Sequence, residues 1–252
     1  MSRSLALLAC VAAILTAPNV FAQGTEIDRG NFILHLGDRA IGAETFGVES
    51  HSDSLICHSR SYLTQGAGAE TIEKGMVWTA SRGDWALRYF QSEETRAGET
   101  VVRGVLMSPG DTAFTVYFES KPAGGGTAKR LVAPPGRTFV LDSGLYSLFN
   151  LICLQLHGKT FSSRPINLLA VGPPDSLLEA QVTDLGSETI RWGARPVQAR
   201  KLQLSDGATT FLVWASPTNG RMLRLTHEAS GLRVEREAPP VRKRSTPPKP
   251  GG

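Results

Sequence analysis

His51, Ser52, Asp53 and His58 form the one cluster in this chain where a base, a hydroxyl and a carboxylate occur together. Two chemistries use those types. A nucleophilic triad needs serine, histidine and acid to converge in space, and adjacent residues in a turn point in different directions. A zinc site needs three or four ligands, and His51, Asp53 and His58 straddle a turn in a way that supplies three. Turn-forming polar residues account for the same stretch, and the spacing favours that reading, so no metal ligand and no catalytic residue is assigned. His35, His157 and His227 occur singly and are expected on the surface or satisfied within strands.

Two carboxylates stand beside structural punctuation: Glu44 follows Gly42, and Asp142 precedes an apolar run. Such a pair does acid–base work only where the environments separate the two pKa values. The sequence favours an exposed strand position for Glu44 and a helix cap, at Asp142 or Ser143, for the other. No Gly-x-Ser-x-Gly elbow, His-Glu-x-x-His or Gly-x-Gly-x-x-Gly opening a helix is present, and no cofactor is implied. The chain reads as non-enzymatic.

The compartment follows from the first residues. Arg3, the apolar run Leu5 to Thr16 and Val20-Phe21-Ala22 before Gln23 have the form of a secretory signal. The run is too short to span a bilayer, which needs about 20 apolar residues. Leu7-Leu8-Ala9-Cys10 resembles a lipobox, but cleavage there would cut the apolar core in half. An exported protein, periplasmic or extracellular, starting near Gln23 is expected, and no other segment reaches membrane length. Cys57 and Cys153 are then the remaining thiols. In an oxidising compartment they suit one disulfide; set in Leu55-Ile56-Cys57 and Leu151-Ile152-Cys153-Leu154, they equally suit small buried apolar positions.

Of the 27 Lys and Arg, five (Arg3, Arg242, Lys243, Arg244 and Lys249) lie in the signal or the last residues, leaving 22 against 23 Asp and Glu. The basicity belongs to the tail. Nothing in the body has the clustered cations and interleaved aromatics of a nucleic-acid surface.

Three segments are expected: signal 1–22, one β-rich domain 23–238, and a basic Pro-rich tail 239–252 too polar to bury a core. Period-2 alternation predicts strands at Asn31–Leu36, Ala40–Glu49, Leu55–Leu63, Thr71–Ala80, Trp85–Glu93, Thr100–Met107, Thr112–Ser120, Thr127–Ala133 and Arg137–Leu141. Seven more follow at Ile166–Val171, Leu177–Thr183, Glu188–Trp192, Val197–Leu204, Thr210–Ala215, Arg221–Glu228 and Leu232–Glu237, with a turn at Gly186. Between the two series Leu145, Phe149, Ile152 and Leu156 have helical spacing, while Leu148, Leu151 and Leu154 cover another side. A helix apolar nearly all round is a buried helix. The fold class is mainly β, an antiparallel curved sheet or half-barrel with one buried helix.

Gly37 to Phe46, Asp142-Ser143-Gly144-Leu145 and Phe211-Leu212-Val213-Trp214 with Gly220 to Leu225 together resemble secreted bacterial proteins such as the domain-of-unknown-function family numbered 3108. That resemblance implies a lipoprotein-carrier-like half-barrel, an incomplete antiparallel barrel wrapped around helices and able to hold an acyl chain. No carrier residue maps onto a position here. The reading is of an envelope protein that binds an apolar, lipid-like molecule or a protein partner in a sheet–helix concavity lined by Trp78, Trp85, Tyr89, Leu148, Phe149 and Trp214. Ordinary core packing accounts for the same aromatics. Two alternatives stand beside it: an envelope assembly protein acting through its sheet edge or basic tail, and a hydrolase using His51 to His58.

Overall fold

The computed structural model describes residues 24–64, 70–108, 110–121, 124–172 and 174–239. The expected signal, the loop at Gly66 to Gly68 and all of the expected tail except Pro239 lie outside them.

The first half is a meander of β1 (Thr25–Leu36), β2 (Arg39–Ser50), β3 (Ser54–Thr64), β4 (Thr71–Ser81), β5 (Leu87–Arg96), β6 (Glu99–Leu106), β7 (Ala113–Lys121) and β8 (Gly126–Val132). Strand β9 (Thr138–Asp142) then leads into helix α1 (Ser147–Leu156), which carries the chain to β10 (Ser163–Val171). A second meander follows through β11 (Ser176–Trp192), β12 (Arg195–Ser205), β13 (Thr210–Ala215), β14 (Met222–His227) and β15 (Leu232–Arg236). All fifteen strands belong to one sheet in the order β8 to β1, then β15 to β9. Neighbours are antiparallel except β9 and β10, which are parallel because the helix crosses between them.

The sheet curls without closing. Its two free edges are β8 and β9. Strand β8 is exposed almost throughout, and Lys129 on it reaches the β10–β11 turn, with Nζ 3.3 Å from the Asp175 carboxylate. A charged edge of this kind discourages pairing with another chain. Strand β9 turns inward instead, and its last residue, Asp142, bonds to Lys74 on β4 and Ser92 on β5.

The helix fills the hollow of the curl, with nine of its ten residues buried. Leu148, Leu151 and Ile152 pack on Phe46, Val48, Trp78 and Leu225 of the surrounding strands in one core. The half-barrel with one buried helix expected from the periodicity is therefore what the chain forms.

Three local expectations differ. Gly186 does not end a strand: β11 runs through it as a bulge, with a register shift between Asp184 and Ser187 and φ of 87° at the glycine. The predicted pair Leu177–Thr183 and Glu188–Trp192 is thus one strand. Trp85 lies before β5 in the turn, in the left-handed region (φ 62°), and a bulge opposite Thr79 and Ala80 leaves Arg88 unpaired. That extra residue shifts the phase: Leu87 and Phe90 face the core, and Tyr89 faces outward. Asp142 caps nothing. The helix N-cap is Tyr146, without a side-chain bond of its own.

Candidate functional site

An apolar helix inside an apolar hollow has no preferred rotation, and buried polar residues set it here. Three contacts span its length, and a fourth holds the chain just before it. At its start Glu44 of β2 accepts hydrogen bonds from the backbone N–H of Tyr146 at 2.6 Å and of Ser147 at 3.2 Å. This is a cap supplied from 102 positions away, satisfying donors that a helix N-terminus leaves open. Glu44 is fully buried, contrary to the exposed position its sequence suggests. Just before the helix the chain is held by Lys74 of β4, which is 2% exposed and donates to Asp142 at 2.5 Å, to the Ser143 carbonyl at 2.9 Å and to Glu94 at 3.3 Å.

In mid-helix Asn150 donates to Asp28 at 3.0 Å and accepts from the Met222 N–H at 2.8 Å. Asp28 also takes both Nη atoms of Arg236 and the Nε of Arg221. The Arg236 guanidinium lies over Phe46 and Phe32, 5.2 and 5.9 Å from the ring centres. Gly30 leaves room for it: a Cβ there would stand 2.8 Å from Nη2. At the helix end Arg200 donates to the carbonyls of Leu156 and Lys159 while paired with Asp184. Apart from Asp142, which the sequence suggests as a cap, no local motif marks these residues as helix-positioning groups. Their signal is phase: Asp28, Glu44, Lys74 and Arg236 occupy the core-facing register of apolar strands.

Burial lifts the Glu44 carboxyl above its ordinary range, and the bonds from Tyr146 and Ser147 pull downward without cancelling the rise. The folded chain therefore holds this proton more tightly than the unfolded chain. The stabilisation is complete below the ordinary glutamate value of about 4.3 and is lost as pH climbs through the higher folded-state value. Urea midpoints measured against pH are expected to fall over that window in the native chain. Glu44→Gln should flatten the fall, and an unchanged slope would count against the assignment.

The six residues expected to line a sheet–helix concavity do not meet in one site. Trp78, Leu148 and Phe149 are buried, and Trp85 lies on Trp78 with ring centres 6.2 Å apart. The gap among Trp78, Trp85, Leu148 and Leu151 has a volume of about 10 Å³, about what one water needs and far below what an acyl chain needs. Phe149 packs on Phe211 at 4.9 Å. Tyr89 bonds to Gln91 on the outer face, where Tyr117 joins it. Trp214 also faces outward, because Val213 before it faces the core.

The histidine cluster is likewise dispersed. His51 Nε2 lies 3.5 Å from Glu49, Asp53 pairs with Arg88 at 3.1 Å, and His58 is exposed on β3 above Gly47. Among the described residues no three of His, Cys, Asp and Glu gather where they could hold a metal ion. Cys57 and Cys153 are both free and buried, so of the two readings the apolar one describes them and the bridge is absent. Cys57 lies by Ser147, whereas Cys153 is six residues further along the helix, about 9 Å of rise away. Burial pushes the Cys153 thiol up to about 12.

A pocket of about 710 Å³ opens on the outer face. Its apolar wall is Trp192, Val197, Leu223 and Pro217, and Arg29 and Arg221 stand at its rim. The wall belongs to a second apolar cluster formed by Ile190, Ala199, Trp214 and Leu223. Trp192 holds its place by donating from the indole N–H to the Arg236 carbonyl at 2.8 Å. The volume lies within the usual range for small-molecule sites.

No family model and no curated protein matches this chain. Among solved structures it is similar to a β-barrel-like protein of Domain of Unknown Function DUF1849 from Brucella abortus, with a TM-score of 0.53 at 8% identity. The match covers 85% of this chain and 97% of that one. It places the chain with β-barrel-like folds; membership of the family numbered 3108 is not supported by any match.

Proposed function

We propose that this chain is an exported, non-catalytic binding protein of the cell envelope whose apolar ligand occupies the outer-face pocket walled by Trp192, Val197 and Leu223. The observation that carries the reading is the contrast between the two faces. Beside Trp78 and Trp85 the helix leaves a gap of about 10 Å³, and the larger inner pockets open only at the two helix ends, whereas the outer face offers about 710 Å³ against an apolar wall. A β-sheet face turned to solvent is normally polar, so a packed apolar cluster there needs a reason. A ligand with an acyl-like body suits this one; Arg29, Arg221 and Glu237 line the same pocket, Arg29 paired with Glu26 and Arg221 with Asp28, so the apolar wall carries the recognition. The signal-like start of the sequence supports export.

The test uses a fluorescent fatty-acid probe below its micellar limit. Binding is expected to the native chain and to be lost in Val197→Glu, a half-buried wall position whose change leaves the inner core alone. Leu148→Ala, by contrast, should cost roughly 2–5 kcal/mol of stability through a core cavity and leave probe affinity unchanged. Probe binding that survives Val197→Glu but fails in Leu148→Ala would return the ligand to the hollow and overturn the proposal; absence of binding would overturn it outright.

A further inference from the structure

We propose that a second pocket, beside the open seam of the sheet, binds a phosphoryl anion held by Arg137, Lys159 and Arg164. The pocket has a volume of about 750 Å³ and lies where the β8–β9 loop, the end of α1 and strands β10 and β11 come together.

Three cations converge there without partners. The 23 Asp and Glu side chains of the chain all lie among the described residues, and none forms a salt bridge with Arg137, Lys159 or Arg164, although Asp84 feels the Arg137 charge. Asp175 and Asp184, on the neighbouring turn and strand, are already taken by Lys129 and Arg200. Glu179 lines the same pocket from an exposed position and offsets one positive charge. The cations outnumber the carboxylates near them, Glu179 and Asp84, so the pocket keeps a positive surplus suited to an anion. Like charges at close quarters disfavour one another: burial, then Arg137 and Arg164, hold the Lys159 ammonium below its ordinary value. An anion between them relieves that cost.

Gln155 borders both this pocket and the closed gap beside Trp78 and Trp85, and its Nε2 is buried away from the open pocket, so the three cations alone hold the anion. Attraction to the helix C-terminus does not explain the cations, because Arg200 already binds the Leu156 and Lys159 carbonyls.

The rim is preformed. Asn167 donates from Nδ2 to the Pro135 carbonyl at 2.9 Å and from its backbone N–H to the Arg137 carbonyl, fixing the loop that carries Arg137. Arg164 lies over Phe161 at 6.0 Å. Guanidinium forks match phosphate oxygens in pairs, which favours a phosphoryl group over a lone carboxylate. Phe139, Ile166 and Pro134 supply an apolar wall, so the phosphoryl group belongs either to a free phosphorylated solute or to a lipid headgroup.

Calorimetric titration of the full chain with inorganic phosphate at low ionic strength, and flotation with phosphatidylcholine vesicles containing phosphatidic acid, separate the two sources. Each is run against Arg137→Ser/Arg164→Ser, which keeps the tail cations, and against Lys159→Met. Saturable phosphate binding weakened at least tenfold in both variants supports the site. Vesicle capture reduced in both variants identifies a lipid headgroup; phosphate binding with no such reduction identifies a soluble ligand. Equal behaviour of native chain and variants in both assays, or no binding in either, overturns the proposal.

Discussion

Asp28→Ala is expected to lower stability by about 3–5 kcal/mol, the usual cost of removing one partner of a buried ion pair. Asp28 is fully buried and collects Arg236, Arg221 and Asn150 at one carboxylate. Without it the Arg236 guanidinium, 6% exposed, retains the Arg29 carbonyl and two ring faces but no counter-charge. Asn150 loses the acceptor that fixes the rotation of α1. For a domain stable by about 5–15 kcal/mol this removes a large share of the total. Thermal unfolding should move down by roughly 6–20 °C. Asp28→Asn keeps an acceptor and should fall between native and alanine. A loss below about 1 kcal/mol for alanine would mean that water replaces the carboxylate and that the mid-helix contact is not a strut.

Lys74→Met is expected to cost a similar amount, and here a double substitution tells more than a single one. Lys74 and Asp142 each have side chains 2% exposed. Methionine leaves the Asp142 charge in the core with the Ser92 hydroxyl as its remaining side-chain partner. Lys74→Met/Asp142→Leu removes both charges and fills a similar volume, so most of the loss should be recovered. The remaining cost is that of the groups left unpartnered, the Ser92 hydroxyl and the Ser143 carbonyl, about 1–3 kcal/mol each. Denaturant midpoints of the four chains give the coupling energy directly. If the double variant is as unstable as the sum of the singles, the pair is not the unit that holds β9 against β4 and β5.

Much of this architecture is legible in the residues. Alternation at Phe32, Leu34, Phe46 and Val48 marks strands that bury one face, and the helix without a polar side marks an element buried all round. The failures are local and share a cause. Gly186 and Arg88 sit at bulges, where one extra residue reverses the inside–outside phase, and nothing in a two-residue period announces the reversal. Tyr89 thereby faces outward where an unbroken period turns it inward. Trp214 has the size of a hollow-lining aromatic, but its strand phase turns it outward. The charged core residues were legible in principle: Lys74 stands in Ile72, Met76, Trp78 and Ala80, and Asp28 in Phe32 and Leu34. A charge on the apolar phase names a buried partner without saying which, since Asp28 and Arg236 lie 208 positions apart.

The sheet order, read from the β9 edge to the β8 edge, is the chain order rotated: β9 to β15, then β1 to β8. Strands next to each other in space are consecutive along the chain everywhere except where β15 meets β1, as in the pairing of Phe32 with Arg236. That one ladder carries the largest loop-closure cost of any strand pairing, and it forms only after the last strand is available. Until then β1 presents an unpaired edge, the stage at which another chain could add to it. A rotated gene with its ends in the loop of residues 133–137 and a short linker from 239 to 24 would make every strand pairing local. Such a chain has a lower contact order for the same packed interior and should fold faster than the natural one.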